Sequence, residues 1–480
     1  MSIRRSALII ALCAAVAPSA LGAPPNEVAA PAPAAPSPAG LSAADAAILV
    51  QMLKGADAQG LEPGDFDLGD AESALRSPDP ALRDRAQARL QAAAIAYARA
   101  EHGGRIRPDR FPADWAIRPA PYDAAADFAA AVGAGRVGAW AASLAPAEPR
   151  YAALVRAYGL YRDIAARGGW PALAAGPSLK LGATGDRVDA LRRRLAIEDP
   201  ATPPSTAAAN ADVYDAGLAE AVSRAQARYG LTPDGVLGAE TRRALDVAVE
   251  TRLGQLRANL ERWRWVPRQL PALRVELNIA SATLELYDAG ESALGMKAIV
   301  GQARKPTPMF EDRIEAVVFN PPWNVPQDIA IKEIWPKIHK DPGYMAREGF
   351  VVKPDGTLQQ LPGPRCALGT IKFDLPNRFG VYLHDTPVHE LFARDQRDLS
   401  HGCMRLEQPN VLAKRLLDGA PGWPAWRVDA AIASGTTQRV VLAKPVPVFV
   451  FYWSAFVTDD GQVSFRSDAY GWDDQLLKML

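Results

Sequence analysis

The spacing of apolar and polar residues changes along this chain of 480 residues. From about residue 41 to 175, apolar residues recur at helical spacing, as in "RYAALVRAYGLYRDIAARGGW". This spacing gives each helix one apolar face. From residue 273 the period becomes two: "LRVELNI" and "ATLELYD" alternate, and "LGMKAIVG" is largely apolar, all typical of strands. The pattern therefore predicts a helical N-terminal part followed by a β-rich part.

Between these parts lies a short segment with its own turn signals. "LKLGATGDRVDALRRRL" places Val188, Leu191 and Leu195 on one helix face, and "GLTPDGVLG" supplies two turns before another helix. The two stretches resemble the paired signatures of the peptidoglycan-binding domain family, G-x-x-G-x-x-V-x-x-L and G-L-x-x-D-G-x-x-G-x-x-T. The resemblance implies a small three-helix module that binds the cell wall. A spacer that has kept the fold and lost the ligand is the alternative.

The predicted fold class is a multidomain α+β protein with a helical scaffold, the three-helix module and a β-rich domain built as a mixed β-sandwich. Within the β-rich part, a long insertion with a helical pattern precedes the candidate chemistry and is predicted to act as a lid. The predicted segments are a signal peptide (1–23), a Pro/Ala-rich linker (24–40), the scaffold (41–175), the peptidoglycan-binding module (176–249), a connecting segment (250–271) whose helix stops at Pro267, the β-rich catalytic domain (272–445, with the lid at 324–364) and a C-terminal β extension (446–480) with a hairpin turning at Asp459-Asp460-Gly461.

The N-terminus predicts export. Arg4 and Arg5 precede an apolar run of eleven residues and then small residues, the pattern of a secretory signal. The run is shorter than the roughly 20 apolar residues of a membrane span, and no later segment is long and apolar enough, so the mature chain is expected in the periplasm without a span. An uncleaved anchor is the alternative. The 54 basic and 54 acidic residues give no basic excess, which argues against nucleic acid as a partner.

The candidate chemistry lies in "LSHGCMRLEQP", which puts Ser400, His401, Gly402 and Cys403 in a row in a chain with three cysteines. His384 ends the apolar stretch "GVYL" upstream. Backbone N–H groups in the turn could stabilise a thiolate or an oxyanion. Three interpretations compete: nucleophilic catalysis with a histidine base, a metal site, and a structural thiol with buried histidines. The spacings do not match the paired-ligand patterns of zinc sites.

His384, followed after fifteen residues by "SHGC", resembles the signature of the L,D-transpeptidases, also called the YkuD-type domain. The blocks "ANLERWRWVP", "FNPPWNVP", "KDPGYMAREG", "GPRCALGTIKF" and "VYLHDTP" are similar to those of the long periplasmic members of this family. The sequence departs from the family at two positions. Arg405 stands where short members often carry Asn, and Cys366 stands where a non-thiol residue is expected.

The resemblance implies a mechanism without a cofactor or metal. Cys403 is the nucleophile, His384 is the base, and the backbone carbonyl of Asp385 orients the imidazole. The N–H groups of Gly402 and Cys403 are the implied oxyanion donors. The thiolate attacks a tetrapeptide stem at the carbonyl before its terminal D-residue, which leaves. The side-chain amine of a neighbouring stem then captures the acyl group and forms a 3-3 cross-link.

Four residues are candidates for substrate binding. Arg405 is placed to pair with the donor's carboxylate, since Arg binds carboxylates bidentately, and Ser400 and Tyr382 are two further candidates. His401 either contacts the substrate or shapes the turn.

The expected partners are peptidoglycan stems as donor and acceptor, together with other cell-wall synthesis proteins. Capture of the acyl group by water would make the protein an L,D-carboxypeptidase, and capture by a lysine would anchor a lipoprotein. A non-catalytic wall-binding scaffold is the alternative of another class. A papain-like protease is disfavoured because there the cysteine precedes the histidine.

Cys366 raises a separate question. An even count of cysteines in an exported chain favours a disulfide between Cys366 and Cys403, but that bond would block the nucleophile. We therefore predict a free Cys403, with Cys366 as a buried thiol or, alternatively, a redox partner that shuts off the site.

Overall fold

The computed structural model describes residues 40–202 and 212–480. The predicted signal peptide, nearly all of the Pro/Ala-rich linker and part of the loop inside the peptidoglycan-binding module lie outside the described residues. No helix in the two described ranges has both the length and the apolar character needed to cross a bilayer.

The N-terminal part is helical, as predicted. Ser42 caps the first helix by accepting a hydrogen bond from the Asp45 N–H, and Asp79 caps the third before Pro80. Leu49, Leu90 and Trp140 are buried in a core of this part alone. The helices are α1 (Ala43–Lys54), α2 (Ala71–Ala74), α3 (Pro80–Gly103), α4 (Ala124–Gly133), α5 (Val137–Ser143) and α6 (Pro149–Ala166).

The predicted module contains three helices, α7 (Asp186–Glu198), α8 (Ala216–Arg228) and α9 (Ala239–Leu245), followed by the connecting helix α10 (Val249–Trp263). Asp215 caps α8 by accepting a hydrogen bond of 2.7 Å from the Leu218 N–H. The connecting helix ends at Trp263, four residues before the predicted stop at Pro267.

The β-rich part is confirmed, and its main sheet is closed. Nine strands follow the order β10-β3-β11-β9-β8-β4-β12-β1-β2, and β2 also pairs with β3. Eight strands thus form a ring, with β10 added to β3, so the two faces predicted as a sandwich belong to one continuous sheet. The strands of this sheet are β1 (Arg274–Asn278), β2 (Thr283–Asp288), β3 (Glu291–Gly301), β4 (Phe310–Phe319), β8 (Ile371–Asp374), β9 (Leu383–His384), β10 (Asp398–Ser400), β11 (Met404–Leu406) and β12 (Gln438–Phe451).

Two helices, α14 (Pro409–Leu416) and α15 (Ala425–Ala433), follow β11 and bury Leu412 and Val428 in the main core. The long strand β12 then runs across the predicted boundary at 445, so the C-terminal extension begins after Phe451.

The C-terminal extension forms the predicted hairpin around Asp459-Asp460-Gly461. Its strands, β13 (Ala455–Val457) and β14 (Val463–Phe465), pair antiparallel. A short helix, α16 (Trp472–Leu477), follows.

The insertion at 324–364 is not wholly helical, which corrects the prediction of a helical lid. Its strands form a separate three-stranded sheet in the order β5-β7-β6, and its apolar residues, including Ile334, Phe350 and Leu358, bury a core of their own. Short apolar runs such as "FVV" are ambiguous between helix and strand by pattern alone. The elements are β5 (Trp323–Asn324), α11 (Gln327–Ile329), a π-helical turn (Ala330–Ile334), α12 (Trp335–Lys340), α13 (Tyr344–Glu348), β6 (Phe350–Val352) and β7 (Leu358–Gln360).

Candidate active site

Strand register brings the candidate residues together. In the parallel pair of β9 and β11, Arg405 lies opposite His384 and Met404 lies opposite Leu383. Because side chains alternate along a strand, His384 and Arg405 share one face, while Met404 and Leu383 are fully buried on the other. Continuing the register by one residue puts Cys403 beside Tyr382, on the same face as His384 and Arg405.

These four side chains line one cavity of about 520 Å³, together with His401 and Ser400. The opposite wall comes from the insertion and includes Trp323, Ile329 and Glu333. The predicted lid therefore covers the predicted chemistry. Concave sites with a few convergent polar groups in an apolar lining are the usual setting for ligand binding.

His384 is oriented as predicted. Its Nδ1 lies 2.5 Å from the backbone carbonyl oxygen of Asp385. A carbonyl can only accept, so Nδ1 carries the proton and Nε2 is left as the acceptor. Burial, reinforced by the positive charge of Arg405, lowers the pKa of His384 to about 3. The imidazole is therefore neutral at ordinary pH and available as a base.

The Asp385 side chain anchors the loop that carries this carbonyl. Its carboxylate accepts hydrogen bonds of 2.8 Å from both the N–H and the hydroxyl of Thr370 and one of 2.7 Å from the Thr386 N–H. Gly369 makes room for it: φ is +60° there, and a Cβ would lie 2.4 Å from the carboxylate. Asp385 thus acts on His384 through its backbone, while its side chain holds the backbone in place.

We expect Gly369→Ala to reduce both stability and turnover. The new methyl group must displace Asp385, which costs part of its three hydrogen bonds, and it also forces a non-glycine residue into the left-handed region, at about 1–3 kcal/mol in total. Turnover should fall at least tenfold, because the carbonyl that orients His384 moves. Urea denaturation and a product assay measure the two effects.

Gly435→Ala is the matched control, since Gly435 has a similar φ of +66° and no atom within 4 Å of the position of a Cβ. It should lose about 1 kcal/mol and no turnover. Equal losses of turnover in the two variants would show that the Gly369–Asp385 contact does not support the site.

The surroundings of Cys403 favour the protonated thiol over the thiolate. Burial raises the pKa of the Cys403 thiol, although hydrogen bonds from the Tyr382 N–H and hydroxyl and the charges of Arg405 and Lys372 act in the opposite direction. In the resting site, burial outweighs the hydrogen bonds and charges that favour the thiolate. A neutral thiol facing a neutral imidazole requires proton transfer during the attack, not before it.

The turn before Cys403 is built by Ser400 and Gly402. The Ser400 hydroxyl donates to the Cys403 carbonyl at 2.5 Å and accepts from the Gly402 N–H at 3.1 Å. Ser400 is only 2% exposed and its hydroxyl shapes the turn, while the residue also lines the cavity. Its role in substrate binding stays a prediction. Gly402 has φ of +110°, a conformation that glycine allows.

The oxyanion prediction changes accordingly. Because the Gly402 N–H already donates to Ser400, it is not free for a substrate oxygen. The Cys403 N–H has no hydrogen-bond partner among residues 40–202 and 212–480, and remains the available backbone donor. Thr307 fixes the turn from behind, since its hydroxyl donates to the Gly402 carbonyl at 2.8 Å.

Arg405 brings a positive charge to the cavity, whereas the neighbouring Lys372 is paired with the Asp374 carboxylate at 3.0 Å. The Arg405 Nε is buried with no hydrogen-bond partner in the described part of the chain, which leaves a donor for an anionic ligand. Lys372 lies opposite His384 on β8, and its Nζ is 4.6 Å from the centre of the Tyr382 ring. The Arg405 guanidinium suits a substrate with a carboxylate.

His401 connects the turn to the insertion. Its Nε2 lies 2.6 Å from the Glu333 carboxylate, and a second pair, Lys305 with Asp328, joins the same two walls. His401 therefore lines the cavity and also fastens its cover. His389 is exposed, with its ring 3.5 Å from the Asp385 carboxylate, and lies outside the cavity lining.

Both Cys366 and Cys403 are free thiols. Cys366 is 1% exposed and donates to the Pro321 carbonyl at 3.4 Å. The disulfide suggested by the cysteine count is not formed. For the metal interpretation, the described ranges contain no group of three or more His, Cys, Asp or Glu residues arranged to hold a metal ion.

Several site residues were missed from the sequence. Lys372 could have been found, because "GTIKFDL" alternates and places it on the face of His384 once the two strands pair. Glu333 and Thr307 carry no local signal, since each reaches the site only through the packing of distant segments.

Fold and site together define a β-rich domain that presents a thiol and a neutral imidazole to one covered cavity. Residues 273–429 match the family model of the L,D-transpeptidase catalytic domain. Residues 184–245 match the model described as "Putative peptidoglycan binding domain", and residues 37–157 match that of a scaffold domain. The chain thus carries a YkuD-type L,D-transpeptidase catalytic domain and a peptidoglycan-binding domain.

A curated protein of Haemophilus influenzae, named "Putative L,D-transpeptidase", is 34% identical over 242 residues, which cover 46% of this chain and 48% of the relative. The match therefore spans about half of the relative's length.

Two solved structures are also similar. The L,D-transpeptidase from Mycobacterium smegmatis has 18% identity, coverage of 37% of this chain and 58% of that chain, and a TM-score of 0.21. The catalytic domain of the E. faecium L,D-transpeptidase acylated by ertapenem has 15% identity, coverage of 38% and 99%, and a TM-score of 0.21.

Proposed function

We propose that this protein is a peptidoglycan L,D-transpeptidase in which Cys403 forms an acyl-enzyme with a tetrapeptide stem. The observation that supports this most is the strand register that puts Cys403, His384 and Arg405 on one face of one cavity. The matches to the catalytic and peptidoglycan-binding domains support peptidoglycan as the substrate class.

In the first half-reaction, the Cys403 sulfur attacks the carbonyl carbon that precedes the terminal D-residue, while its proton passes to the His384 Nε2. The Cys403 N–H donates to the developing oxyanion. His384 then gives the proton to the nitrogen of the D-residue, which leaves as a free amino acid when the C–N bond breaks. A thioester remains on Cys403.

In the second half-reaction, the side-chain amine of a neighbouring stem attacks the thioester carbonyl. His384 takes a proton from this amine and returns it to the leaving sulfur, so the thiol is regenerated and a 3-3 cross-link is formed. Arg405, with its unpartnered buried Nε, holds a carboxylate of the donor stem.

Incubation of the purified chain with a disaccharide-tetrapeptide, followed by mass spectrometry, tests the proposal. Transpeptidation yields a dimer that has lost one terminal D-residue. Formation of tripeptide without dimer would instead indicate an L,D-carboxypeptidase. Unchanged substrate would indicate a non-catalytic wall-binding scaffold.

Export belongs to the proposal as well. The signal pattern of residues 1–23 supports a periplasmic location, where peptidoglycan and other cell-wall synthesis proteins are accessible. N-terminal sequencing of the protein from a periplasmic extract should begin near residue 24. An intact N-terminus on a membrane-associated chain would contradict cleavage.

The insertion should act in substrate capture. Its own core and its two polar connections, His401 with Glu333 and Lys305 with Asp328, let it cover the cavity as a unit. Replacement of residues 324–364 by a short Gly-Ser linker should raise KM for the stem at least tenfold. The rate at which iodoacetamide alkylates Cys403 should change by less than threefold, because the sheet that holds the thiol remains.

Glu333→Gln is the mild counterpart, since it weakens one connection and leaves the core intact. It should raise KM in the same direction by a smaller factor. If the linker variant folds well and loses thiol reactivity as strongly as substrate capture, the insertion is part of the catalytic core and not a cover.

A further inference from the structure

A second cleft, of about 360 Å³, lies between the peptidoglycan-binding module and the catalytic sheet. We call it the module cleft. The module contributes Tyr229 and Arg243, and the catalytic part and its C-terminal extension contribute Arg397, Arg466 and Tyr470. No residue that lines the module cleft also lines the active-site cavity, so the two sites are distinct.

The module cleft has an excess of positive charge. Four arginines line it, namely Arg243, Arg252, Arg397 and Arg466, against two aspartates, Asp395 and Asp398. The carboxylate of Asp395 is engaged by the Thr232 N–H at 3.1 Å and the Thr232 hydroxyl at 2.8 Å, which tie the module to the catalytic part.

The buried Arg252 and the half-buried Arg397 and Arg466 have no ion-pair partner within the described ranges, whereas the exposed Arg243 pairs with Glu240 at 3.5 Å. Arg397 and Arg466 direct their hydrogen bonds to backbone carbonyls. Arg252 is 5% exposed, donates to Gln255 and to the Ala244 carbonyl, and keeps its Nε buried without a partner. Burial and the positive charge of Arg397 lower the pKa of Arg466 to about 10. Concentrated buried charge of one sign is costly unless an opposite charge can reach it.

The walls of the module cleft also reach the nucleophile turn. The segment Asp395–Asp398 leads directly into Ser400. From the C-terminal extension, the Tyr470 hydroxyl donates to the Gly301 carbonyl and accepts from the Thr307 N–H, and the Thr307 hydroxyl holds the Gly402 carbonyl. A ligand in the cleft would therefore contact residues that support the turn carrying Cys403.

We propose that the module cleft binds a carboxylate-bearing stem peptide of peptidoglycan, so that the wall is held beside the cavity that acts on it. The inference rests on the proposed function and adds a second binding site to it. Guanidinium groups recognise carboxylates through paired, charge-assisted hydrogen bonds, and a stem peptide ends in a free carboxylate.

Calorimetric titration of the full chain with a soluble disaccharide-tetrapeptide tests the inference. Cys403→Ala is the background, so that no turnover occurs. We expect two molecules to bind per chain. Arg243→Gln should weaken one of the two binding events at least fivefold, because Arg243 is exposed at the rim of the cleft. A stem whose carboxylates are converted to carboxamides should lose that event.

The matched control is Arg242→Gln on the same helix, since Arg242 pairs with Asp246 at 2.9 Å and does not line the cleft. It should leave both events unchanged. Arg466→Gln should weaken the cleft event more strongly than Arg243→Gln, with folding checked by thermal denaturation. If Arg466→Gln does not fold, the comparison of Arg243→Gln with Arg242→Gln decides the question.

Arg405→Gln separates the two sites. It should weaken the event at the active site and leave the cleft event in place. A single binding event that is lost in Arg405→Gln and unchanged in Arg243→Gln would overturn the proposal that the module cleft binds a stem peptide. The proposed function would then still hold. If no variant binds the stem, both the module-cleft proposal and the proposed function are overturned.

Discussion

Replacing Cys403 by alanine is expected to abolish transfer of the stem peptide, with a loss of several orders of magnitude in kcat, about what removal of a nucleophile costs in other enzymes. The thiol lines the cavity, and the fold does not depend on it, because the turn is held by Ser400 and Thr307. A methyl group is nearly isosteric with the thiol, so thermal denaturation should shift little. Mass spectrometry of the reaction products measures the loss.

Cys366→Ala is the control, because it removes the other thiol of the described chain at a position that is 1% exposed. It should cost about 1 kcal/mol of stability, through the lost hydrogen bond to the Pro321 carbonyl, and leave turnover within twofold. Cross-linking by the Cys403→Ala protein, or equal inactivation of both variants, would refute the assignment of the nucleophile.

The second large effect is expected in the pH dependence of the reactivity of the Cys403 thiol. Its raised pKa means that the thiolate fraction at pH 7 is below that of an ordinary cysteine, whose pKa is about 8.5. Below that raised pKa, each unit of pH increases the thiolate tenfold. In a Cys366→Ala background, alkylation by iodoacetamide without substrate should therefore rise continuously from pH 6 to 9, and no plateau should appear in the acid range.

Turnover should follow a different curve. The lowered pKa of His384, about 3, keeps the imidazole neutral as the pH falls, so kcat/KM should change less than twofold between pH 7 and 5. An ordinary histidine, with a pKa of about 6.5, would be mostly protonated at pH 5. In His384→Ala, turnover should be lost most at neutral pH and recover in part at alkaline pH, where hydroxide supplies the thiolate. A reactive plateau below pH 7 would reveal a thiolate–imidazolium pair and contradict this state of the site.

The sequence predicted the elements that local pattern controls. The helical spacing of the N-terminal part, the paired glycine signatures of the module and the turn at Asp459-Asp460-Gly461 each have local causes, and the corresponding elements form. Closure of the sheet could not be predicted, because it depends on the pairing of β2 with β3 while β3 also pairs with β11.

The site shows the same division. The order of His384 and Cys403 indicated the chemistry, and the Asp385 carbonyl orients the imidazole as expected. The hydrogen bonds of Ser400 and Gly402 within the turn were not predicted, since a hydroxyl three residues before a carbonyl can fold back onto its own turn without a local sequence signal. The protonation state of Cys403 was also beyond the sequence, because it depends on how far burial outweighs the neighbouring donors and charges.

The most direct test of the central claim is capture of the acyl-enzyme. The chain is mixed with a tetrapeptide stem, quenched with acid within milliseconds to seconds, digested and analysed by mass spectrometry. We predict a thioester on the peptide that contains Cys403. The mass of this peptide should increase by the mass of the stem minus the mass of the released D-amino acid. Turnover of the stem with no adduct at any quench time, or with the adduct on another residue, would contradict the claim.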